Sequence, residues 1–281
     1  VFERFQYIPN TKIPLPSEVE ISESGTCNRV CSFCPRSDPN YPDIKEFIKT
    51  KLFKKLCLEL SKLKYSGTIR FSGFVEPTLD KNIYNLIKMT RTILTRSNIA
   101  MVTNGDVLNE KRLKKLFENG LNKLFISAYD GHEDVQKFHK IRIAAKLNES
   151  QVVIRDRSLP PEKDFGLTIS NRGGMLKNAG HKILPLEKKL NHSCYYPSYT
   201  FFMDYNGDVL MCAHDWGKKR ILGNLNKNSF IEIWTSQIAN VSRNKLNNGN
   251  RGFSPCNVCD VQGTLMGEDH FEKWVAYQNT A

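Results

Sequence analysis

Two periodicities alternate along the chain. Residues 17–22 (SEVEIS) repeat apolar side chains at every second position, which predicts a first strand running into a cysteine-bearing loop. Leu52, Leu56, Leu60 and Leu63 then recur at steps of three and four, predicting an amphipathic helix over about 48–64, with Gly67 beyond its end. The pattern repeats: a short strand at 69–72, a helix at 81–95 (Ile83, Leu86, Ile87, Ile93, Leu94) and a strand at 98–103. A helix at 109–119, a strand at 123–128, a helix at 131–147 and a strand at 151–155 complete the run. Strands alternating with helices across short connections predict parallel βα units in an α/β fold.

After Arg155 the rhythm breaks. Residues 156–166, with Pro160-Pro161, are too short and too broken for another crossover helix. Residues 167–170 are a candidate sixth strand, and 173–192 read as a linker. In "TFFMDYNGDVLMC" the pair Asn206-Gly207 lies between two apolar runs, a type I′ hairpin signal. A helix near 229–246, with Ile231, Trp234 and Ile238 on one face, leads to a Gly/Asn-rich loop. The expected division is an α/β domain over 1–180 and a small hairpin-plus-helix domain over 181–281.

A hydrophobic fraction of 40% in 281 residues supports a packed core and excludes a disordered or fibrous chain. The apolar runs, such as those around Leu124 to Ala128 and Val209 to Ala213, are far shorter than the ~20 residues of a membrane helix. The first twenty residues are polar and proline-broken, without a signal-peptide core, so a cytoplasmic location is expected. The net charge of +12 falls largely on helical faces such as "KTKLFKKLCLELSKLK". With no nucleic-acid-binding motif, that charge leaves an anionic small substrate open and does not point to nucleic acid.

Cysteine changes the picture. Of eight cysteines, Cys27, Cys31 and Cys34 follow the first strand within one loop. Parallel sheets and barrels place their chemistry at that end of a strand. Three crowded thiols cannot form independent disulfides, and read as metal ligands. An iron–sulfur cube takes four cysteines, so three leave one iron open to a non-protein ligand; zinc is the alternative. Cys194, Cys212, Cys256 and Cys259 form a second set in a loop-rich segment, where a metal can replace a core. Taken alone, this set fits either a tetrahedral zinc or a second iron–sulfur cluster.

The segment "CNRVCSFCP" at 27–35 resembles the signature loop of the radical S-adenosylmethionine (radical SAM) superfamily, with the aromatic Phe33 ahead of the third cysteine. The resemblance implies an abridged, partial (β/α)6 TIM-like barrel. It implies a [4Fe–4S] cluster on Cys27, Cys31 and Cys34 whose open iron binds SAM. Reduction then yields a 5′-deoxyadenosyl radical that abstracts a substrate hydrogen. "FSGFVEPTL" at 71–79 is similar to the strand end that holds the SAM amino group, so Gly73 and Glu76 are implied contacts; Val75 stands where a glycine is usual. "VTNG" at 102–105 and "ISAYDG" at 126–131 resemble the next two strand ends, implying Asn104 and Ser127 near the ribose. No fifth-strand adenine motif is evident at 151–155.

The spacing Cys194-x12-Gly207-x4-Cys212 followed by Cys256-x2-Cys259 resembles the SPASM extension in its halved "twitch" form, which implies one auxiliary [4Fe–4S] cluster. With four protein ligands, such a cluster accepts an electron rather than anchoring substrate. The implied reaction is oxidation of a small polar, sugar- or cyclitol-like substrate, served by an external reductant such as flavodoxin or ferredoxin. Modification of a ribosomally made peptide, a radical epimerase and a zinc-stabilised nucleic-acid-binding module are the alternatives. Arg155, Asp156 and Arg157 end the fifth strand on alternate sides of the expected cavity mouth. Arg155 and Asp156 are candidate catalytic residues, an arginine there serving either to clamp a phosphate or carboxylate or to brace the rim by an ion pair. Cys57, inside the leucine-rich helix, reads as a core thiol or, in an epimerase, a hydrogen donor. The Asn171-Arg172-Gly173-Gly174 loop is fit for close approach to a ligand, and His214 is placed near the second cysteine set. Tyr129 and Trp216 are read as packing residues.

Overall fold

A computed structural model describes residues 5–160, 162–163, 166–167, 169–178, 181, 183–184 and 186–280. Its centre is one eight-stranded sheet. β1 (Glu18–Ser22) leads into a short ribbon of β2 (Ser24–Gly25) and β3 (Ile44–Phe47), which pair antiparallel and pinch the base of the cysteine loop. Then come α1 (Thr50–Lys62), β4 (Thr68–Phe71), α2 (Ile83–Ile93), β5 (Asn98–Thr103) and α3 (Glu110–Glu118). They are followed by β6 (Lys123–Ala128), α4 (His132–Ala144) and β7 (Val152–Asp156). The βα units fall where the periodicity predicts them, with ends shifted by a few residues. β1, β4, β5, β6 and β7 are parallel neighbours in that order.

The remainder is α5 (Tyr196–Tyr199), β8 (Thr200–Asp204), β9 (Asp208–Leu210), β10 (Ile221–Asn224), α6 (Phe230–Trp234), α7 (Gln237–Asn247) and α8 (Glu268–Gln278). β8 pairs parallel with β1 along Glu18–Ser22, and β9 and β10 add antiparallel beyond it. The sheet therefore has six parallel strands, and the sixth is β8. Leu167, Ile169 and Ser170 belong to no strand, and position 168 lies outside the described residues, as does Pro161. Two apolar residues alternating within four positions are too short a pattern to separate strand from loop. The sheet stays open between the edges β7 and β10, a partial barrel rather than a closed one.

Alternation along the strands separates two faces. Val19, Ile21, Ile69, Phe71, Ile99, Met101, Leu124 and Ile126 are buried against the leucines of α1, α2 and α3. Each such side chain contributes about 1.5–3 kcal/mol. The concave face carries Glu18, Glu20, Arg70, Ser72, Phe125, Ser127 and Arg155.

Three further differences have local causes. The helix expected at 229–246 is two helices, because Ser229 makes a capping box with Glu232 and the Ser236 hydroxyl accepts the Ala239 N–H (3.2 Å), starting α7 afresh. Ile231 is exposed there, while Phe230, Ile233 and Trp234 are buried. The hairpin turn is not type I′: Gly207 N–H donates to Asp204 O (2.9 Å), Gly207 takes φ +89°, and Asn206 is absent from the positive-φ residues. That is a type I turn closed by a glycine bulge. α8, unanticipated, buries Trp274 and His270; the Trp274 indole donates to Ser198 O, and the Arg243 guanidinium lies 4.0 Å from both Trp234 and Trp274.

Candidate active site

The Cys27–Cys34 loop is held from three sides. Arg36 donates to Phe74 O and Gly25 O (both 2.8 Å), tying it to the end of β4 and to the ribbon. Arg29 donates to Asp106 and Asp130, on the loops after β5 and β6. Asn104 Nδ2 donates to Asn28 Oδ1 (2.9 Å) and lies 3.9 Å from Cys27 Sγ. Charge-assisted anchors of this kind fix a loop that has little regular structure of its own.

The three thiols open onto a cleft at the carboxyl ends of the strands. Gly73, Glu76, Asn104 and Ser127 all line it, so the structure gathers the four implied SAM contacts with the three cysteines. Gly73 takes φ +103°, and a Cβ there would meet the Phe202 ring at 2.9 Å. Glu76 is buried. Its carboxylate accepts Thr103 Oγ1 (2.5 Å), Asn104 N (2.7 Å), Thr78 N (3.0 Å) and the Thr78 hydroxyl, so it joins the ends of β4 and β5. Burial raises its pKa, and those four donors oppose the rise. Tyr129 and Trp216 also line the cleft. Tyr129 stacks on Phe33 (5.3 Å) and Trp216 on Phe74 (4.6 Å), so both are packing residues and cleft walls at once.

Arg155 and Asp156 do not come together. The Arg155 guanidinium lies over the Phe125 ring at 4.1 Å, inside the concave face and off the cleft lining. Burial, then Arg157 and Arg70, pulls its pKa down to about 10. Asp156 points the other way and accepts Ser158 N–H and Oγ–H. A different acidic group lies behind the cleft wall, off its lining but bonded to a residue that lines it. Glu20 on β1 accepts the Ser72 hydroxyl (2.5 Å), Ser72 lines the cleft, and burial with the nearby Glu18 pushes Glu20 up to about 7. The signal was present in SEVEIS, where Glu18 and Glu20 alternate with core residues.

Cys194, Cys212, Cys256 and Cys259 surround one cavity with almost wholly apolar walls, including Pro197, Met211, Leu246 and Val261. Burial and mutual repulsion push the thiols up, Cys259 to about 11. A Cβ on Gly263 would sit 2.3 Å from Cys194 Sγ, so only glycine permits that approach. Buried Arg251 donates to the carbonyls of His192, Ser193, Val261 and Gln262, clamping the segments beside Cys194 and Cys259. Among the described residues no three His, Cys, Asp or Glu side chains converge on a single ion position. The four thiols instead enclose a volume, and this donor set fits a cluster. The three thiols on the open cleft fit a cluster with one exchangeable position.

The two sites share a wall. Arg172 lines the cleft and Gly173 the apolar cavity, while Trp216 lines the cleft and His214 the cavity. The Cys212–Trp216 segment is held by turns from Asp215 N to Cys212 O and Trp216 N to His214 O. Half-buried His214, held by Tyr196 and Ser170, has its pKa pushed down to about 3 by desolvation of the ring, then by Arg172. Cys57 lies apart, buried between α1 and α2 beside Thr90 and pushed up to about 12 by burial.

Residues 21–148 match the radical SAM superfamily, and residues 194–260 match an iron–sulfur cluster-binding domain, SPASM. A curated relative, the S-adenosyl-L-methionine-dependent 2-deoxy-scyllo-inosamine dehydrogenase of Niallia circulans, is 33% identical over 254 residues, 88% of this chain and 94% of its own. The chain belongs to the radical SAM superfamily. The crystal structure of BtrN in complex with AdoMet and 2-DOIA matches this radical SAM chain with a TM-score of 0.75 and 30% identity, covering 90% of it and 96% of BtrN. Native anSMEcpe with bound AdoMet, 13% identical at a TM-score of 0.57 over 94% and 97% of the two chains, shares the fold. The protein is thus a radical SAM oxidoreductase with an auxiliary-cluster domain, which sets aside the nucleic-acid-binding module. Among the described residues no helix is long and apolar enough to cross a membrane.

Proposed function

We propose that this radical SAM enzyme oxidises an alcohol of a small polar cyclitol to a ketone. The observation that carries the reading is the shared wall between an open three-thiol cleft and an apolar-walled four-thiol cavity. The names of the relative and of the BtrN complex, a dehydrogenase and a cyclitol-type ligand, support this substrate class.

Cys27, Cys31 and Cys34 would hold a [4Fe–4S] group with one open iron, and Cys194, Cys212, Cys256 and Cys259 a fully ligated one. When bound, the first supplies the electron that releases a 5′-deoxyadenosyl radical from SAM, and the second takes up the electron left by substrate oxidation. The chain's own residues do the rest. Gly73 keeps the strand end free of a side chain, Glu76 fixes the ends of β4 and β5, and Asn104 and Ser127 offer polar groups where SAM would lie. Val75, Phe74, Tyr129 and Trp216 limit water in the cleft. Glu20, acting through the Ser72 hydroxyl, takes the alcohol proton; a carboxylate titrating near 7 suits that role at neutral pH. Cys212 to Trp216 provide a short covalent connection from cleft wall to cavity. An external one-electron reductant such as flavodoxin or ferredoxin completes the system.

A cyclitol deuterated at the reacting carbon tests the reading. Deuterium is expected in 5′-deoxyadenosine, with a ketone as product. Deuterium retained in the product alcohol, or returned with inverted configuration, would overturn it. Burial of Cys57 removes that thiol as the donor an epimerase needs.

A further inference from the structure

A hollow of about 550 Å³ opens at the amino-terminal ends of the parallel strands, the end opposite the cysteine cleft. Its polar side chains can all donate hydrogen bonds: the hydroxyls of Ser17, Ser66 and Thr68, the amide of Asn98, and the cations Arg96 and Lys123. Arg70 also lines it, but is already paired with Glu18. No carboxylate belongs to the described lining. A lysine-rich composition does not produce this by default, since the surface hollow along α3 mixes Glu110 and Glu118 with its lysines.

A second observation comes from the ring that floors the hollow. Phe125 carries the Arg155 guanidinium at 4.1 Å, Lys123 Nζ at 5.3 Å and the Arg70 guanidinium at 5.7 Å. Among the described residues neither Arg155, Lys123 nor Arg96 has a carboxylate partner, and Arg155 Nε is buried without a hydrogen bond. Glu20, the other carboxylate of the region, is held by Ser72. One aromatic face and two carboxylates, Glu18 and Glu20, offset the three cations over the ring and Arg96 beside them, so the field in the hollow is positive.

We propose that this hollow binds a phosphate-type oxyanion, as free phosphate or as the phosphoryl group of a small metabolite. Lys123 and Arg96 supply the charge, and Ser66, Thr68 and Asn98 supply neutral hydrogen bonds to the remaining oxygens. The anion relieves repulsion across β4, β6 and β7, and the β6–β7 pair aligns Arg155 with cleft-lining Ser127. The site is independent of the chemistry assigned to the cleft.

The test is titration of the reconstituted holoprotein with inorganic phosphate at constant ionic strength, followed by calorimetry and by thermal unfolding. Saturable binding with a rising Tm is expected. Lys123→Glu and Arg96→Glu should each weaken binding at least about tenfold, while iron content and SAM cleavage stay at wild-type levels. Lys123→Gln guards against misfolding: it should unfold at the wild-type temperature without phosphate and lose most of the phosphate response. A polyol phosphate monoester binding more tightly than phosphate identifies a metabolite, and equal binding identifies free phosphate. No saturation up to ~20 mM, an equal response to chloride, or unchanged affinity in the variants would overturn the proposal.

Discussion

The two cysteine sites solve opposite problems. The first takes all its thiols from one loop of eight residues, anchors that loop by an ion pair and by arginine–carbonyl bonds, and opens onto a cleft with mixed polar and aromatic walls. The second draws thiols from positions 194, 212, 256 and 259, held together by a buried arginine and enclosed by apolar side chains. An open, locally built site suits a ligand that must come and go. An apolar site with four thiols, assembled from distant segments, suits an electron store whose ligands do not exchange. The difference also predicts which site survives partial unfolding, since the second depends on long-range contacts and the first on short ones.

The comparison breaks most sharply at the thiols themselves. Replacing any one of Cys27, Cys31 or Cys34 by Ala should lower 5′-deoxyadenosine formation by about a thousandfold or more, measured by chromatography of the reaction. Changing Cys256 and Cys259 together to Ala should drop iron from about eight to about four per chain, and iron analysis checks this directly. Glu20→Gln should cost about a hundredfold or more in ketone formation while leaving iron content intact. In the wild type, Glu20 is the base only when ionised. With its pKa raised to about 7, kcat/KM should therefore climb between pH 6 and 8 and flatten above, and the variant should lose that rise.

Arg251→Met should unfold the second site selectively. Four carbonyls lose a buried donor, at a cost of about 2–4 kcal/mol, and thermal unfolding should show an early transition while the three-thiol site still binds SAM. Asp130→Asn should matter least. Its ion pair with Arg29 is mostly exposed and Asp106 holds the same guanidinium, so the loss is below about 1 kcal/mol by denaturant titration.

The same contrast governs what could be read from the sequence. The three-thiol loop and the βα units were legible because their signals are local: a spacing of cysteines, and runs of period two and 3.6. The four cysteines of the second site were legible as a set only through spacing across a hairpin. That the hairpin's first strand pairs with β1 was not, because parallel pairing between residues 18–22 and 200–204 leaves no local trace. Glu20 was missed for a related reason. In a half-buried strand an alternating glutamate normally faces water, but the open barrel turns that face inward. Arg155 and Asp156 show the converse: adjacency at a strand end placed them on opposite faces, and Phe125 rather than the cleft received the arginine.

The central claim is that the four-thiol site accepts the electron of an oxidation carried out in the three-thiol cleft. It is tested most directly by measuring ketone and 5′-deoxyadenosine in a single turnover, for the wild type and for the Cys256→Ala/Cys259→Ala double variant. The account predicts about one ketone per 5′-deoxyadenosine in the wild type, and 5′-deoxyadenosine without ketone in the variant. Equal ketone yields from both proteins would contradict it.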